Sequence, residues 1–377
     1  MNSMSSLSPR LSLCMIVKNE AETLERCLVH ARPHVDEIVI LDTGSTDGTQ
    51  EIARRYADVF EEVEWPGSFA IARNMSISRA SGDYILVLDG DEYIPNAAHW
   101  EAIRIGISLP KVVALQVRVR NLLPEDQVLE ADCIWQERVF RRHSAIRYEG
   151  RVHNQILASI QRYAKEHGEE ILRADAEIIH TGYVLTPASA AKKYAPRIEL
   201  LKYEIEKAAD EHVRAYYMYQ LGTVYFLLQE HEQAKELFQQ LNYEALNLEN
   251  RFYAHMLAAH TGIRTLDAEM ALVHAHQMME VKPNEPMGYY TAAHALFMIG
   301  ENPTAVQMLK LAFSKNEDKE NIRFPINESR LFLEVARLSE RAGLPKYALY
   351  FYDLYLKQHP EDMDIAQRVM HLRLSAA

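Results

Sequence analysis

A chain of 377 residues exceeds one ordinary domain, and at about 150 residues per domain it should hold two. With 48% hydrophobic and 25% charged residues it has the composition of a globular protein with a real core, which excludes general disorder. The formal net charge of −12 excludes nucleic acid as a partner gripped through its phosphate backbone, so any nucleotide must be held locally by a metal and a few basic side chains.

Along the first quarter of the chain, short β-rich runs alternate with amphipathic helical runs, the arrangement of βαβ units in a parallel sheet. Strands are expected at residues 11–17, 37–41, 59–64 and 84–88, with helices between them. Asn19 and Glu22 bracket the first helix start like a capping pair, and Ser45-Thr46-Asp47-Gly48 supplies turn and cap chemistry before the second. Residues 112–119 and 138–142 read as later strands whose order in the sheet is unreadable. Cys14, Cys27 and Cys133 show no C-x-x-C spacing, which argues against zinc and a disulfide framework and fits a reducing, cytoplasmic setting. Residues 1–10 lack the pattern of a secretory signal, and no apolar run reaches the ~18 residues of a transmembrane segment.

Past Thr186 the texture becomes helical, rich in Ala, Leu, Tyr, Glu and Lys. Aligning the small residues that let helices pack closely, Ala234, Ala271, Ala305 and Ala348, gives intervals of 37, 34 and 43 residues. These bracket the tetratricopeptide period of about 34. The first unit fits with Leu221, Gly222, Tyr225, Ala234 and Phe238, and Pro283 and Pro360 end later units. Phe238 and Tyr352 are expected in the seam that stacked repeats bury, with residues 314–320 as a loop inside the longest interval.

The strongest chemical signal is Gly82-Asp83-Tyr84-Ile85-Leu86-Val87-Leu88-Asp89-Gly90-Asp91-Glu92, an apolar strand delivering two carboxylates at its carboxyl end. Ligands of open α/β sheets bind there. Two aspartates around Gly90 can turn toward one hard cation, Mn²⁺ or Mg²⁺, that completes its shell with water and diphosphate oxygens. A plain Asp-Gly turn is the bland alternative. Val17-Lys18-Asn19-Glu20 after the first strand and Asp42-Thr43-Gly44-Ser45-Thr46-Asp47-Gly48-Thr49 after the second should open on the same edge. Asp42 can accept hydrogen bonds from a base or ribose, Asp47 suits a helix cap, and Arg73 offers a fixed planar cation for phosphate.

As an ordered set, V-K-N-E (Val17 to Glu20), D-x-G-S-T-D-G-T (Asp42 to Thr49), A-R-N (Ala72-Arg73-Asn74) and L-D-x-D-E (Leu88 to Glu92) resemble family-two glycosyltransferases of the GT-A fold. The resemblance covers residues 11–183 and implies a GT-A domain over residues 8–186, followed by an all-α tetratricopeptide-like domain over 187–377. It implies that Val17, Asn19, Glu20, Asp42, Arg73, Asp89 and Gly90 contact the nucleotide-sugar donor, and that Asp89 and Asp91 hold the metal, with the late His180 as a third ligand. His153, in Tyr148-Glu149-Gly150-Arg151-Val152-His153, is a further donor contact and the fallback ligand. Glu137, in Trp135-Gln136-Glu137-Arg138, is the candidate general base and Glu149 its rival.

The implied reaction is an inverting transfer from a nucleotide-sugar, a UDP-sugar first, to a peptide, protein or glycan acceptor. The helical repeats, through residues such as Tyr216 and Tyr219, would select the acceptor or form a homodimer. A nucleotidyltransferase would need a glycine-rich loop where Val17-Lys18-Asn19-Glu20 stands. A silent tetratricopeptide adaptor would have no need of an intact Arg73, Asp89, Asp91 and His180 set.

Overall fold

A computed structural model describes residues 8–122, 131–149, 155–181, 187–316 and 322–375. They form two compact units, one carrying a sheet and one all-helical.

In the first unit, β1 (Leu11–Val17), α1 (Leu24–Ala31), β2 (Glu37–Asp42), α2 (Thr49–Tyr56), β3 (Val59–Glu62), α3 (Phe69–Arg79) and β4 (Tyr84–Val87) alternate as their patterning requires. Then follow β5 (Glu92–Tyr93), α4 (Ala97–Ser108), β6 (Val112–Leu122), β7 (Ala131–Arg141), α5 (Leu157–His167) and β8 (Glu170–His180). The eight strands run in the order β3-β2-β1-β4-β7-β6-β8-β5. The first four are parallel, so β1, β2 and β4 end on one edge, whereas β7 runs antiparallel to β4.

Both faces of the sheet are covered, which is why β1, β2 and β4 read as nearly continuous apolar runs rather than alternating ones. Leu13, Met15, Ile38, Ile40 and Leu86 pack with Leu24 and Leu28 of α1 and Trp100 and Ile103 of α4. On the other face Cys14, Val39, Ile85 and Val87 meet Ala70 of α3 and Ile160 and Tyr163 of α5. Each fully buried Leu, Ile, Val or Met among them contributes roughly 1.5–3 kcal/mol. β7 starts seven residues earlier than its expected position at 138, and β8 extends back over ten residues that sequence periodicity left unassigned.

The second unit begins with α6 (Pro187–Lys207) and continues as antiparallel pairs: α7 (Glu211–Leu227) with α8 (His231–Gln240), and α9 (Leu248–Arg264) with α10 (Ala268–Val281). The later pairs are α11 (Pro286–Met298) with α12 (Asn302–Lys315), and α13 (Glu328–Arg341) with α14 (Pro345–Gln358), before α15 (Met363–Ser375). Ala234, Ala271, Ala305 and Ala348 fall on the second helix of the four pairs and are all fully buried. In the first two pairs a glycine on the first helix lets its partner approach closely. A Cβ on Gly222 would sit 2.8 Å from Phe238 Cε1, and one on Gly262 would sit 2.8 Å from the Ala271 nitrogen. Asp210, Asn247, Asp267 and Asn327 cap α7, α9, α10 and α13 by accepting from Val213, Asn250, Met270 and Arg330 N–H groups. Phe238 and Tyr352 are core residues as expected, but Tyr219 is also buried and offers nothing to a partner, while Tyr216 is half-buried. The expected loop at 314–320 instead starts inside α12, and its remainder lies outside the described residues, as does the expected junction at 186.

Candidate functional site

Residues leaving β1 and β2 are laced together by side chains. Asn19, in the left-handed region at φ 56°, accepts from the Thr46 N–H at 2.8 Å and donates its own N–H to Ser45 Oγ at 2.9 Å. Asp47 accepts from the N–H groups of Thr49 and Ala21, each at 3.1 Å. The Glu20 N–H donates to Thr49 Oγ1 at 2.7 Å. Gly44 and Gly48, at φ +103° and +97°, supply the turns that L side chains resist. The Asn19 and Glu22 capping pair is therefore corrected. α1 starts after Thr23 without a side-chain cap, Glu20 Oε2 accepts from Thr23 Oγ1, and Asn19 is spent on the neighbouring loop.

Asp42, the last residue of β2, is fully buried. Its Oδ1 accepts from the Gly44 and Ser45 N–H groups and from Gln50 Nε2, whereas its Oδ2 is buried without a partner. Burial alone would raise its pKa, but the bonds from Ser45, Gln50 and Gly44 win and keep the carboxylate ionised below its ordinary range.

At the end of β4 the polar groups are denser. Arg73, on α3, donates from Nη2 to Asp89 Oδ1 at 2.6 Å, lies 5.5 Å over the Tyr148 ring, and keeps Nε and Nη1 buried without partners. Asn74, next in the chain, fixes that ring by accepting from the Tyr148 N–H and donating to its carbonyl, both at 2.9 Å. Against the upward push of desolvation, Arg73 and Arg138 bring the Asp89 carboxyl down to about 2. Arg138, buried on β7, donates to Glu92 Oε1 at 2.6 Å and to Gln136 Oε1 at 2.8 Å, and Glu92 Oε2 accepts from the Asp89 N–H. Burial pushes the Glu92 carboxyl up, against the pull of Arg138. Gly90 is required by packing, since a Cβ there would meet Glu20 Cγ at 2.8 Å.

Asp91 faces β8. Its Oδ2 lies 3.1 Å from His180 Nε2, while His180 Nδ1 lies 2.8 Å from Asn121 Oδ1. With Nδ1–H given to Asn121 Oδ1, Nε2 faces the Asp91 carboxylate, which accepts from it when the ring carries its second proton. Burial lowers the histidine's affinity for a second proton, yet Asp91 outweighs it and leaves the pKa raised.

The structure thus brings together Asp89, Asp91, Gly90, Arg73 and His180, with Glu20 behind Gly90 and Asp42 at the neighbouring strand end. Val17 closes β1 opposite Asp42 in register. It does not bring Glu137 to them. Side chains alternate across a strand, so Glu137 projects from the face of β7 opposite to Arg138, where its Oε1 accepts from Gln116 Nε2 at 2.7 Å. Glu149 is ion-paired with Arg162 at 2.5 Å, although its neighbour Tyr148 lies under Arg73. His153 and Gly150 lie outside the described residues. Arg138, Tyr148 and Asn121 are site residues that sequence reasoning missed. The available signal for Arg138 was a cation followed by Val139 and Phe140 in an apolar strand, since a buried charge demands a partner.

Residues 12–154 match the family model described as Glycosyl transferase family 2. A TPR repeat-containing protein of Synechococcus elongatus is 38% identical over 151 residues, 40% of this chain and 36% of that protein. Glycosyltransferase AglE of Haloferax volcanii is 38% identical over 99 residues, 23% of this chain and 32% of that protein. The chain thus spans about a third of the length of the curated relatives it matches. Among solved structures, the mannosyltransferase PcManGT from Pyrobaculum calidifontis is 17% identical, with coverage of 83% and 89% and a TM-score of 0.39. On its ordered motifs and the match over residues 12–154, the sheet-bearing unit is a glycosyl transferase family 2 domain, joined in this chain to a tetratricopeptide-like helical domain.

Proposed function

We propose that the protein transfers a sugar, with inversion, from a nucleoside diphosphate sugar to an acceptor, a uridine diphosphate sugar being the first donor to test. The observation that supports this most is a set of hydrogen-bonding atoms left unmade at the strand ends. Asp42 Oδ2 and Arg73 Nε and Nη1 are buried without partners, an expensive condition unless a ligand satisfies them. Asp42 would accept from the donor's base or ribose, and the planar fork of Arg73 suits its phosphates. Val17, Asn19, Glu20 and Gly90 line the same strand ends.

Among the described residues no three His, Cys, Asp or Glu side chains converge on a point where they could together hold a metal ion. Asp91 and His180, in contact with each other, would supply two ligands of an open site for Mn²⁺ or Mg²⁺ whose shell diphosphate oxygens and water complete, with Asp89, here bound to Arg73, as the further carboxylate. Such a cation would supply Lewis-acid neutralisation of the departing diphosphate. The chain's own residues orient and hold: Arg73 neutralises Asp89, Arg138 holds Glu92, and Asn121 fixes the His180 ring. The acceptor is a peptide or protein selected by the helical unit, with a cell-surface glycan or lipopolysaccharide core as the second reading, and the setting is cytoplasmic. No helix among the described residues is long and apolar enough to cross a membrane.

The test is nucleotide release by the full-length chain from a panel of UDP-, GDP- and dTDP-sugars, with and without chelator. Asp91→Ala should lower turnover about 100-fold or more, the scale of losing a preorganised charge stabiliser, with unchanged circular dichroism. Full turnover by Asp91→Ala in excess chelator would sink the metal site, and no release from any donor would sink the transferase reading.

A further inference from the structure

Asp91 and His180 are joined by a very short ladder. β5 is two residues long and lies at the edge of the sheet, paired with β8 through Glu92 with His180 and Tyr93 with Ile179. Asp91 directly precedes β5 and His180 ends β8, so the separation of their side chains depends on how that ladder is terminated. Termination falls to Thr181, the next residue. Its N–H donates to the Asp91 carbonyl at 3.2 Å, and its hydroxyl donates to the same oxygen at 3.1 Å. Having given its hydrogen, that hydroxyl accepts from Arg26 Nη2 at 2.7 Å.

Arg26 stands on α1, whose inner face is fixed to the sheet by Leu24, Cys27 and Leu28. Its guanidinium lies 4.7 Å from the centre of the Tyr93 ring, and Tyr93 belongs to β5. His30, one turn further along α1, tilts against the same ring at 5.0 Å, and its Nδ1 lies 2.8 Å from the Arg26 carbonyl. Arg26 has no carboxylate partner among the described residues, so its guanidinium is spent on a hydroxyl and a ring rather than on a surface ion pair. Holding so long a side chain in one place costs rotamer freedom that a merely solvated arginine would keep.

We propose that Arg26 and Thr181 are positioning residues which, through the Asp91 backbone, set the spacing of the Asp91 and His180 side chains for a divalent cation. The proposal rests on reading those two side chains as metal ligands. The support runs from Arg26 to Thr181 to the Asp91 carbonyl, while Asn121 orients the His180 ring from the other side. With so few protein ligands, their placement must hold to within about 0.5 Å, and removing the hydrogen bonds behind them weakens metal binding about 10–100-fold.

Electron paramagnetic resonance of free Mn²⁺ tests this on the full-length protein, with uridine diphosphate or, in parallel, guanosine diphosphate present to supply phosphate oxygens. Thr181→Val keeps the shape of the side chain and removes the hydroxyl, and Arg26→Met removes the guanidinium. Each should weaken Mn²⁺ binding about tenfold or more, whereas Thr181→Ser should bind within about twofold of the parent. The double variant should lose no more than about the larger single loss, because the two groups act in series. In turnover, the Mn²⁺ concentration for half-maximal nucleotide release should rise by the same factor. The KM for the donor and kcat at saturating Mn²⁺ should stay near wild type, a split that general loosening of the domain would not give. Unchanged Mn²⁺ binding in either single variant, equal loss in Thr181→Ser and Thr181→Val, or additive losses in the double variant each overturn the proposal while leaving the metal reading standing. Absence of Mn²⁺ binding by the parent protein with either nucleotide overturns both.

Discussion

The two units solve the problem of burial in opposite ways. The family 2 domain buries charge: Arg73, Asp89, Glu92 and Arg138 lie in one contiguous network at the end of β4, and some of its hydrogen-bonding capacity is unused. The helical domain buries mainly apolar side chains, with Gly262 of one helix set against Ala271 of the next, and its buried carboxylate, Glu285, accepts from the Arg323 and Phe324 N–H groups rather than from a buried guanidinium network. A unit that must hold a charged ligand keeps polar groups poised at a cost, whereas a unit that stacks can be nearly all packing.

Arg138→Met breaks that contrast most severely. Removing the cation leaves Glu92 buried without its partner, so the family 2 domain should lose about 3–5 kcal/mol in denaturant unfolding. Adding Glu92→Gln should recover much of that loss, because an amide needs no counter-charge. If the single variant is as stable as the parent, the pair is not what holds the strand end.

Acid should instead single out the helical domain. His255 and His274 meet Nδ1 to Nδ1 at 2.9 Å, with the Tyr243 ring stacked on His255. Burial lowers their pKa values to about 3 and about 4, and that of His260 to about 4. These histidines bind a proton in the unfolded chain near pH 6.5 but resist it when folded. Their contribution to stability is therefore complete above about 6.5 and is lost as pH falls toward 4. Melting followed at stepwise pH should show the helical transition dropping across that window by up to roughly 2–3 kcal/mol for each such histidine, and less in a His255→Phe variant. A helical transition that is flat over that window excludes this account.

A smaller effect sharpens the packing side of the comparison. Gly222→Ala places a methyl 2.8 Å from the Phe238 ring and should cost about 1–3 kcal/mol of helical stability. Nucleotide release should be unaffected, which thermal melts paired with turnover assays will check.

The smallest effect concerns the base. Glu137→Gln should leave turnover near wild type, because that side chain is on the face of β7 away from Arg138, whereas Glu149→Gln, beside Tyr148, should lose more. The reverse ranking of kcat would restore Glu137 as the acceptor's base.

What sequence reasoning could reach follows from these interactions. The parallel strands, the strand-end aspartates and the alanine seam each rest on local pattern, and the observed β1, β2 and β4 lie within one residue of the ends expected for them. The Arg138–Glu92 pair joins residues 46 positions apart and depends on β7 lying antiparallel beside β4, which no periodicity encodes. The same limit explains Asn121, which meets His180 only through the pairing of β6 with β8. Asn19 misled because its side chain could serve either its own helix or the next loop, and tertiary contact decided between them.

That lacing of the β1 and β2 loops has a consequence for inheritance. Asn19 is tied to Thr46 and Ser45, Ala21 to Asp47, and Glu20 to Thr49, so neither loop has a shape of its own to vary. A change in one loop is inherited with a misfit in the other until a second change repairs it. Among descendants of this chain, positions 19–21 and 45–49 should therefore drift as one character, so a swap of donor nucleotide through this rim would have to exchange both segments together.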